Sequence, residues 1–354
     1  MTSESLARQA LASALLLMTT LTCGQSGEPT TAPADGDALA LALESSATEI
    51  EIGQTATLVL TLSAGAATPE EGITLPKLAF DERSIALDIT FEGREWHYSR
   101  IAGMVERPPP LETGKLTAAE PWKLEVPLVL PQAGEYEIKA VHGHRTKARA
   151  ESESLKIVVK PVDAGDRLLA RFDMKHGEND GSYTVELYPD VAMGTVLNFT
   201  ELASTGYFDA TRMHRVVKGF MSQGGDPNTR DADPANDGIG GPGYSLPGEF
   251  DPKKFPNVSH ELGVLSMARR GHPDSAGSQF FVCSSNARFL DDKYTAFGKV
   301  IEGIDVAEAC NQIATRPSPG NPREVSQPVS PLNLIRVALV PGFSARPADG
   351  GQDR

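Results

Sequence analysis

The sequence lacks features that would each point to a particular class of protein. It has no dense cluster of basic residues, since its 33 Lys and Arg are outnumbered by 47 Asp and Glu, for a net charge of −14. We therefore expect no nucleic-acid partner, because nucleic acids are bound by clustered positive charge. The chain has three cysteines and seven histidines, with no grouped ligand spacing of the kind that holds zinc. We predict neither a metal nor a cofactor.

A hydrophobic run long enough to span a membrane is also missing near the N-terminus. The apolar run Ala10–Met18 follows Arg8 and precedes Thr19 and Thr20. A membrane-spanning helix needs ~20 apolar residues, so this run has instead the length of the core of a secretory signal peptide. We therefore interpret residues 1–23 as an export signal.

Cys23 comes directly after this run, in the sequence LTCG. The arrangement resembles the lipobox of bacterial lipoproteins, in which the cysteine becomes the lipidated N-terminus. Leu21 lies one place closer to the cysteine than is usual, and Thr22 is larger than the usual small residue. An ordinary secretory peptide, cleaved for instance after Ala34, is the alternative. We expect an exported protein on the periplasmic face of a bacterial membrane, with a lipid anchor on Cys23.

The other two cysteines lie in apolar surroundings. Cys283 ends the stretch FFVC, and Cys310 lies in a helical pattern. Exported proteins can form disulfides, so a bond between them stays open. Free cysteines in such stretches usually behave as small hydrophobic residues, and we predict two buried free thiols.

The sequence of the first half of the chain predicts a tether followed by a β domain. Residues 24–37 are rich in Gly, Pro, Ser and Thr and predict a flexible tether. Residues 38–160 show alternating apolar and polar positions, as in 85–91, 122–130 and 136–140, with turn signals between them. This pattern predicts a β-sandwich, and the stretch AGEYEI resembles a late strand of immunoglobulin-like or fibronectin-like domains. The sequence does not identify its partner.

His142 and His144 are the only chemically suggestive pair in this half. Two residues apart on a strand, they would share one face and could bind a metal. Because no further ligands accompany them, we interpret them as exposed strand histidines. This half offers no catalytic constellation, so we interpret it as a spacer or an interaction module.

The second half begins after a predicted hinge at 161–166. Its pattern is mixed, with helices predicted at 192–205 and 304–313 among short strands and glycine-rich loops. Three blocks stand out: MHRVVKGFMSQGGD at 213–226, LSMA at 265–268 continuing to GSQFFV at 277–282, and FLDDKYTAFGKV at 289–300.

In order and spacing these blocks resemble the signature of cyclophilin-type peptidyl-prolyl cis-trans isomerases. The resemblance implies that residues 163–341 form a closed antiparallel β-barrel capped by two helices, and we expect residues 342–354 to be a disordered tail. The implied activity is isomerisation of X-Pro bonds in exported polypeptide clients. No cofactor is implied.

The resemblance also implies roles for individual residues. Arg215 would be the catalytic donor, which suits a side chain that is always charged and presents its donors on a rigid fork. The other predicted binding residues are Phe220, Met221, Phe281 and Leu290 in the proline pocket, Gln223 on the client backbone, the main chain of Ala268 and Arg269 on the residue before proline, Gln279 in the adjoining groove, and Phe289 and Tyr294 at the pocket wall.

Several positions depart from the family pattern. Met213 replaces a frequent Phe, Arg269 an Asn, and Tyr294 a His, whereas Phe289 replaces the indole that lines the cyclosporin-binding edge. We expect these changes to affect drug sensitivity more than catalysis. The alternative function is a non-catalytic scaffold of the cell envelope that binds proline-containing peptides. Such a binder would not need Arg215.

Overall fold

The computed structural model describes residues 39–64, 73–74, 85–102, 115–116, 121–142, 150–256, 258–319 and 321–345. Cys23, the predicted tether and His144 lie outside these ranges. Within them, no helix is both long and apolar enough to cross a membrane. The chain is mainly β, as the sequence predicts.

The N-terminal half folds into two facing sheets. The strands are β1 (Leu39–Ser45), β2 (Glu49–Glu51), β3 (Thr55–Ala64), β4 (Ile73–Thr74), β5 (Ile85–Phe91), β6 (Arg94–Tyr98), β7 (Ile101–Ala102), β8 (Lys115–Leu116), β9 (Trp122–Val129), β10 (Gly134–His142), β11 (Ala150–Glu151) and β12 (Leu155–Lys160). One sheet has the order β1-β3-β9, and the other has the order β2-β12-β10-β5-β6, with β11 added to β10. Alternate residues of both sheets form one buried core.

These two sheets around one core agree with the predicted β-sandwich. β2 runs parallel to β12, whereas the other described pairs of the two sheets are antiparallel. Near the start of β10 the hydroxyl of Tyr136 donates to the carbonyl of Gln132 at 2.9 Å. A tyrosine that bonds back to the chain at this corner is typical of the fold.

His142 differs from the sequence expectation, because its side chain is buried and not exposed. β11 pairs with the end of β10, with Ala150 opposite His142, and β5 pairs on the other side, so His142 lies between two strands and not at the edge of the sheet. Among the described residues no group of three or more His, Cys, Asp or Glu could hold a metal ion.

The C-terminal half contains one large curled sheet and two helices. Its elements are β13 (Arg167–His176), β14 (Asn179–Leu187), α1 (Pro189–Ser204), β15 (Thr211–Arg212), β16 (Arg215–Val217), β17 (Met221–Gly224), β18 (Tyr244–Ser245), β19 (Val264–Met267), β20 (Phe280–Cys283), β21 (Ala296–Glu302), α2 (Ile304–Asn311), β22 (Thr315–Pro317), β23 (Val325–Pro328) and β24 (Leu332–Gly342). Both helices lie where the sequence predicts them.

The large sheet is antiparallel and has nine strands in the order β15-β24-β13-β14-β21-β19-β20-β17-β16. β15 ends at Arg212 and β16 begins at Arg215, so the chain itself joins the two edges of the sheet. The sheet therefore curls into a half-barrel, called the barrel below, and in the described part of the chain no ladder between the two edge strands closes it as the sequence predicts. A phenylalanine-rich core fills the interior, with Phe172, Phe199 and Phe280 in ring contact.

The last strand extends beyond the predicted end of the barrel domain. β24 continues to Gly342, which pairs with Arg167, and the N–H of Ala345 donates to Glu186 at 3.0 Å. Residues 342–345 therefore belong to the fold and not to a disordered tail. The rest of the predicted tail lies outside the described residues.

Helix α1 lies between the barrel and the sandwich. It begins at Pro189, which suits a first helical position because its missing N–H needs no partner there. Ala192 has non-helical φ and ψ, which kinks the helix. Just after this kink, the Glu249 carboxylate accepts from the backbone N–H groups of Gly194 and Thr195 at 3.0 and 2.8 Å.

Met193 and Leu197 on this helix belong to the same buried cluster as the sandwich core.

Polar contacts also join the two halves. Arg100, after β6, forms a salt bridge with Glu201 of α1, and its guanidinium lies 4.2 Å above the ring of Tyr244. β7 pairs with β18, and the hydroxyl of Thr200 donates to the carbonyl of Val129 at 2.9 Å. The described residues from both sides of the predicted hinge therefore share one core, within a single compact unit.

Candidate active site

Three neighbouring strands align the predicted donor with the predicted binding residues. Arg215 on β16 pairs with Gln223 on β17, and Gln223 pairs with Phe281 on β20. Directly opposed residues of antiparallel strands extend their side chains to the same face. The three side chains therefore form one row across the sheet, and Met221, two residues from Gln223, shares their face.

A chain of hydrogen bonds follows this row. Nη1 of Arg215 donates to Oε1 of Gln223 at 3.2 Å and lies 3.8 Å from Sδ of Met221. Nε2 of Gln223 donates to Oε1 of Gln279 at 2.9 Å, and Nε2 of Gln279 donates to the carbonyl of Gly240 at 2.9 Å. Each amide is thus held in one orientation, and Gln223 keeps a second amide hydrogen for another acceptor.

A carboxylate that no sequence pattern indicates also lies at this site. Nε and Nη2 of Arg215 donate to the two carboxylate oxygens of Glu324 at 2.6 and 3.0 Å. These hydrogen bonds lower the pKa of Glu324 below its ordinary value, against a small opposing effect of partial burial. Glu324 lies 109 residues further along the chain, in a loop without periodic pattern, so no local signal pointed to it.

The predicted proline-pocket residues belong to one apolar cluster. Met221, Phe281 and Leu290 are buried, and Phe220 and Tyr294 are partly buried against them. The Tyr294 ring meets the Phe281 ring edge to face, with centroids 6.0 Å apart. This cluster lies beside the polar row because Met221 and Phe281 are members of both.

His260 supports this pocket from behind and was also missed. Its ring stacks on Phe281 at 6.1 Å, and its two nitrogens lie 2.9 Å from Asp291 Oδ1 and from Ser266 Oγ. Burial lowers the pKa of His260 below its ordinary value, and the hydrogen bond and charge of Asp291 oppose this shift. Fixed at both nitrogens, the ring restricts the position of Phe281.

The backbone at Ala268 and Arg269 lies beside Gln279. The N–H of Ala268 donates to the carbonyl of Gln279 at 2.9 Å, so this donor is already used. A backbone clamp here would have to use the Ala268 carbonyl or the Arg269 N–H. The Arg269 guanidinium lies 4.5 Å above the Tyr294 ring, and its Nε donates to the carbonyl of Lys293 at 3.0 Å.

Phe289 lies at the rim of the pocket. Its side chain is 63% exposed, and its ring centroid is 5.5 Å from that of Phe220. Met213, in contrast, is buried in the barrel core, as expected for a packing substitution. Cys283 in the pocket cluster and Cys310 in the barrel core are both free and buried, which confirms the predicted thiols.

Comparison with known proteins finds matches over the part of the chain that contains these residues. The family model described as "Cyclophilin type peptidyl-prolyl cis-trans isomerase/CLD" matches residues 171–336. Peptidyl-prolyl cis-trans isomerase B of Bacillus subtilis is 41% identical over 131 residues, which are 37% of this chain and 84% of that protein. Peptidyl-prolyl cis-trans isomerase-like 1 of Neurospora crassa is 42% identical over 162 residues, 45% of this chain and 89% of that protein.

A solved structure also matches. It is the cyclophilin type isomerase of Cryptosporidium parvum, crystallised in the presence of the dipeptide Ala-Pro, with 25% identity and a TM-score of 0.41 over 49% of this chain and 98% of that one. The family-model match contains Arg215, Glu324 and every predicted pocket residue. The two relatives are more than 40% identical to this chain over most of their own length. Together with the family-model match, they show that this chain belongs to the cyclophilin type peptidyl-prolyl cis-trans isomerases.

Proposed function

We propose that Arg215 is the catalytic donor of this isomerase and that its clients are proline-containing segments of exported proteins. One observation carries the assignment of the site. A guanidinium that is 34% exposed is held by Gln223 and Glu324 beside the buried ring of Phe281 and the thioether of Met221.

This arrangement matches what the reaction requires. The X-Pro amide resists rotation because its nitrogen donates a lone pair into the carbonyl, which gives a barrier of ~18–20 kcal/mol. An N–H donor placed near that nitrogen competes for the lone pair and is most favourable when the amide is twisted. Arg215 supplies a charged donor that is oriented before the client arrives, so little reorganisation accompanies the reaction.

The apolar pocket and the polar row bind different parts of the client. The apolar surface of Met221, Phe281 and Leu290 receives the proline ring. Each Å² of apolar surface that is buried in this contact contributes ~25 cal/mol to the binding free energy. The free amide hydrogen of Gln223 is available to a client carbonyl. With one side of the amide held in this way, rotation occurs on the other side.

The test of this function uses the complete chain and a short X-Pro peptide. Relaxation of the cis–trans ratio after a solvent jump takes tens to hundreds of seconds without a catalyst. The proposal requires substoichiometric protein to shorten that time in proportion to its concentration. Binding of the peptide without any acceleration would instead support the proline-peptide scaffold.

We also propose that residues 1–23 direct export and that Cys23 carries the lipid anchor. The proposal is supported by the short apolar run before Cys23 and the tether after it. One acyl chain gives only marginal membrane binding, so the several chains of a bacterial lipoprotein are needed for stable anchoring. The full-length protein should sediment with membranes, and Cys23→Ala should release or mislocalise it. A mature N-terminus beyond Cys23, found by mass spectrometry, would rule out the anchor.

Sensitivity to cyclosporin tests the rim of the same pocket. Phe289 offers no indole N–H, and loss of one such hydrogen bond costs on the order of 0.5–1.5 kcal/mol. The protein should therefore be inhibited weakly, and Phe289→Trp should tighten inhibition about tenfold, which corresponds to ~1.4 kcal/mol. Phe289→Tyr adds a hydroxyl without an indole N–H and is the matched control. Nanomolar inhibition of the unmodified protein would contradict this explanation.

A further inference from the structure

The loop between β22 and β23 places one carboxylate against Arg215. We propose that Glu324 is a positioning residue, which fixes the plane of the Arg215 guanidinium so that the correct N–H groups face the client. The inference rests on the proposed function, since it assumes that Arg215 is the donor. It adds a requirement for a residue outside the three sequence blocks that resemble the family signature.

The geometry shows which donors are used and which remain. Glu324 accepts from Nε and Nη2, the side edge of the guanidinium, in the paired arrangement that planar carboxylates and guanidiniums favour. Gln223 accepts from Nη1, next to Met221 Sδ. Of the five N–H groups, two are thus taken by Glu324, and the two on Nη1 face Gln223 Oε1 and Met221 Sδ, of which the sulfur is a weak acceptor. The fifth N–H lies on Nη2, at the outer edge of the fork.

Without Glu324, little else would hold this side chain. β16 has three residues and is the last strand in the order of the sheet. An arginine side chain has about 2 kcal/mol of rotamer entropy to lose, and this one is partly exposed to water. Gln223 and the sulfur of Met221 both contact the same nitrogen, Nη1, so without Glu324 the guanidinium could still rotate about that nitrogen. Two bonds to one rigid carboxylate remove that rotation.

Glu324 is itself held firmly. Its N–H donates to the carbonyl of Asn321 and its carbonyl accepts from the N–H of Ser318, both at 2.9 Å. Ser326, two residues after Glu324 in β23, is buried. β23 packs against β16. β22 and β23 pair as a hairpin, and the loop of this hairpin holds Glu324 against Arg215 although the two residues are far apart in the sequence.

Two effects of the carboxylate oppose each other. It orients the guanidinium, but its negative charge also offsets the positive charge that stabilises the twisted amide. Both side chains are about one-third exposed, at 34% and 31%, so water and salt weaken the charge effect. Orientation is not screened in this way, and small misplacements of a catalytic group can cost ~10²-fold in rate. We therefore expect orientation to dominate and the loss of Glu324 to slow the reaction.

The test is a double-mutant cycle in the complete chain. Glu324→Ala should lower kcat about tenfold and leave KM within about twofold, because the bonds lost matter in the twisted state. Glu324→Asp should recover part of the rate, and Glu324→Gln, which has one acceptor oxygen in place of two, should behave like Glu324→Ala. In the Arg215→Ala background, Glu324→Ala should change nothing further, since its target is gone. Glu261→Ala is the matched control, because it removes a carboxylate paired with another arginine, Arg288, and should leave the rate unchanged.

The outcomes separate this inference from the proposed function. If Glu324→Ala reduces kcat equally with and without Arg215, its effect is on general structure and the inference is wrong. Unchanged or increased kcat for folded Glu324→Gln, beside an impaired Arg215→Ala, also overturns the inference and leaves the proposed function intact. Near-native kcat for Arg215→Ala would overturn the proposed function and the inference with it.

Discussion

Replacing Arg215 with alanine should lower isomerase turnover by about 10²–10³-fold, the usual cost of removing one preoriented donor at a developing charge. Peptide affinity should change little, because the contact strengthens mainly in the twisted state and the pocket of Met221, Phe281 and Leu290 remains. The fall should therefore appear in kcat rather than in KM.

Two further variants sharpen this expectation. Arg215→Lys should recover little of the rate, because one ammonium cannot bond to both oxygens of Glu324 and to Gln223 with the same planar fork. Phe220→Ala should instead weaken peptide binding and stability together, since its ring packs on the pocket cluster. Thermal denaturation of each variant separates a folded, inactive protein from an unfolded one.

Shortening Leu197 should destabilise both halves of the chain together. Leu197 lies on α1 of the barrel, but its side chain is buried in the cluster that forms the sandwich core. A buried Leu→Ala change typically costs 2–5 kcal/mol of the free energy of unfolding. Because the two halves share this core, we expect a single cooperative transition that moves to lower temperature. Val329→Ala, at an exposed position, should leave the transition in place.

The chain carries separate probes for each half. Its two tryptophans, Trp96 and Trp122, are both in the sandwich, whereas the buried thiols of Cys283 and Cys310 are in the barrel. Burial raises the pKa of these thiols to about 12 and about 11, so they should react only when the barrel opens. Tryptophan fluorescence and thiol exposure should follow one denaturation curve. Two separate curves, with Leu197→Ala moving only the thiol curve, would show that the halves unfold independently.

The sequence predicted those features that depend on local pattern. The alternation of residues 85–91 places Ile85, Leu87 and Ile89 in the core, and β5 forms there. The spacing of Arg215, Phe220 and Gln223 is also local, because a short hairpin joins β16 to β17. Patterns of this kind arise from the period of a strand, which single segments carry by themselves.

The features that the sequence did not predict depend on distant contacts. Glu324 meets Arg215 only because the barrel brings β23 beside β16. The position of His142 inside the sheet depends on β11 and β5, which flank the end of β10. The shared core needs the packing of α1 against a sheet formed much earlier in the chain. No periodicity within one segment encodes such contacts, so they appear only in the folded chain.

Exchange spectroscopy of an X-Pro peptide measures interconversion and binding in one sample, and it therefore decides whether Arg215 catalyses isomerisation. With substoichiometric complete chain, we expect cis–trans exchange that is fast compared with the uncatalysed tens to hundreds of seconds. With folded Arg215→Ala at equal peptide saturation, we expect most of this acceleration to be lost. Near-native exchange with that variant, or no acceleration by the unmodified chain despite clear binding, would contradict a catalytic role of Arg215.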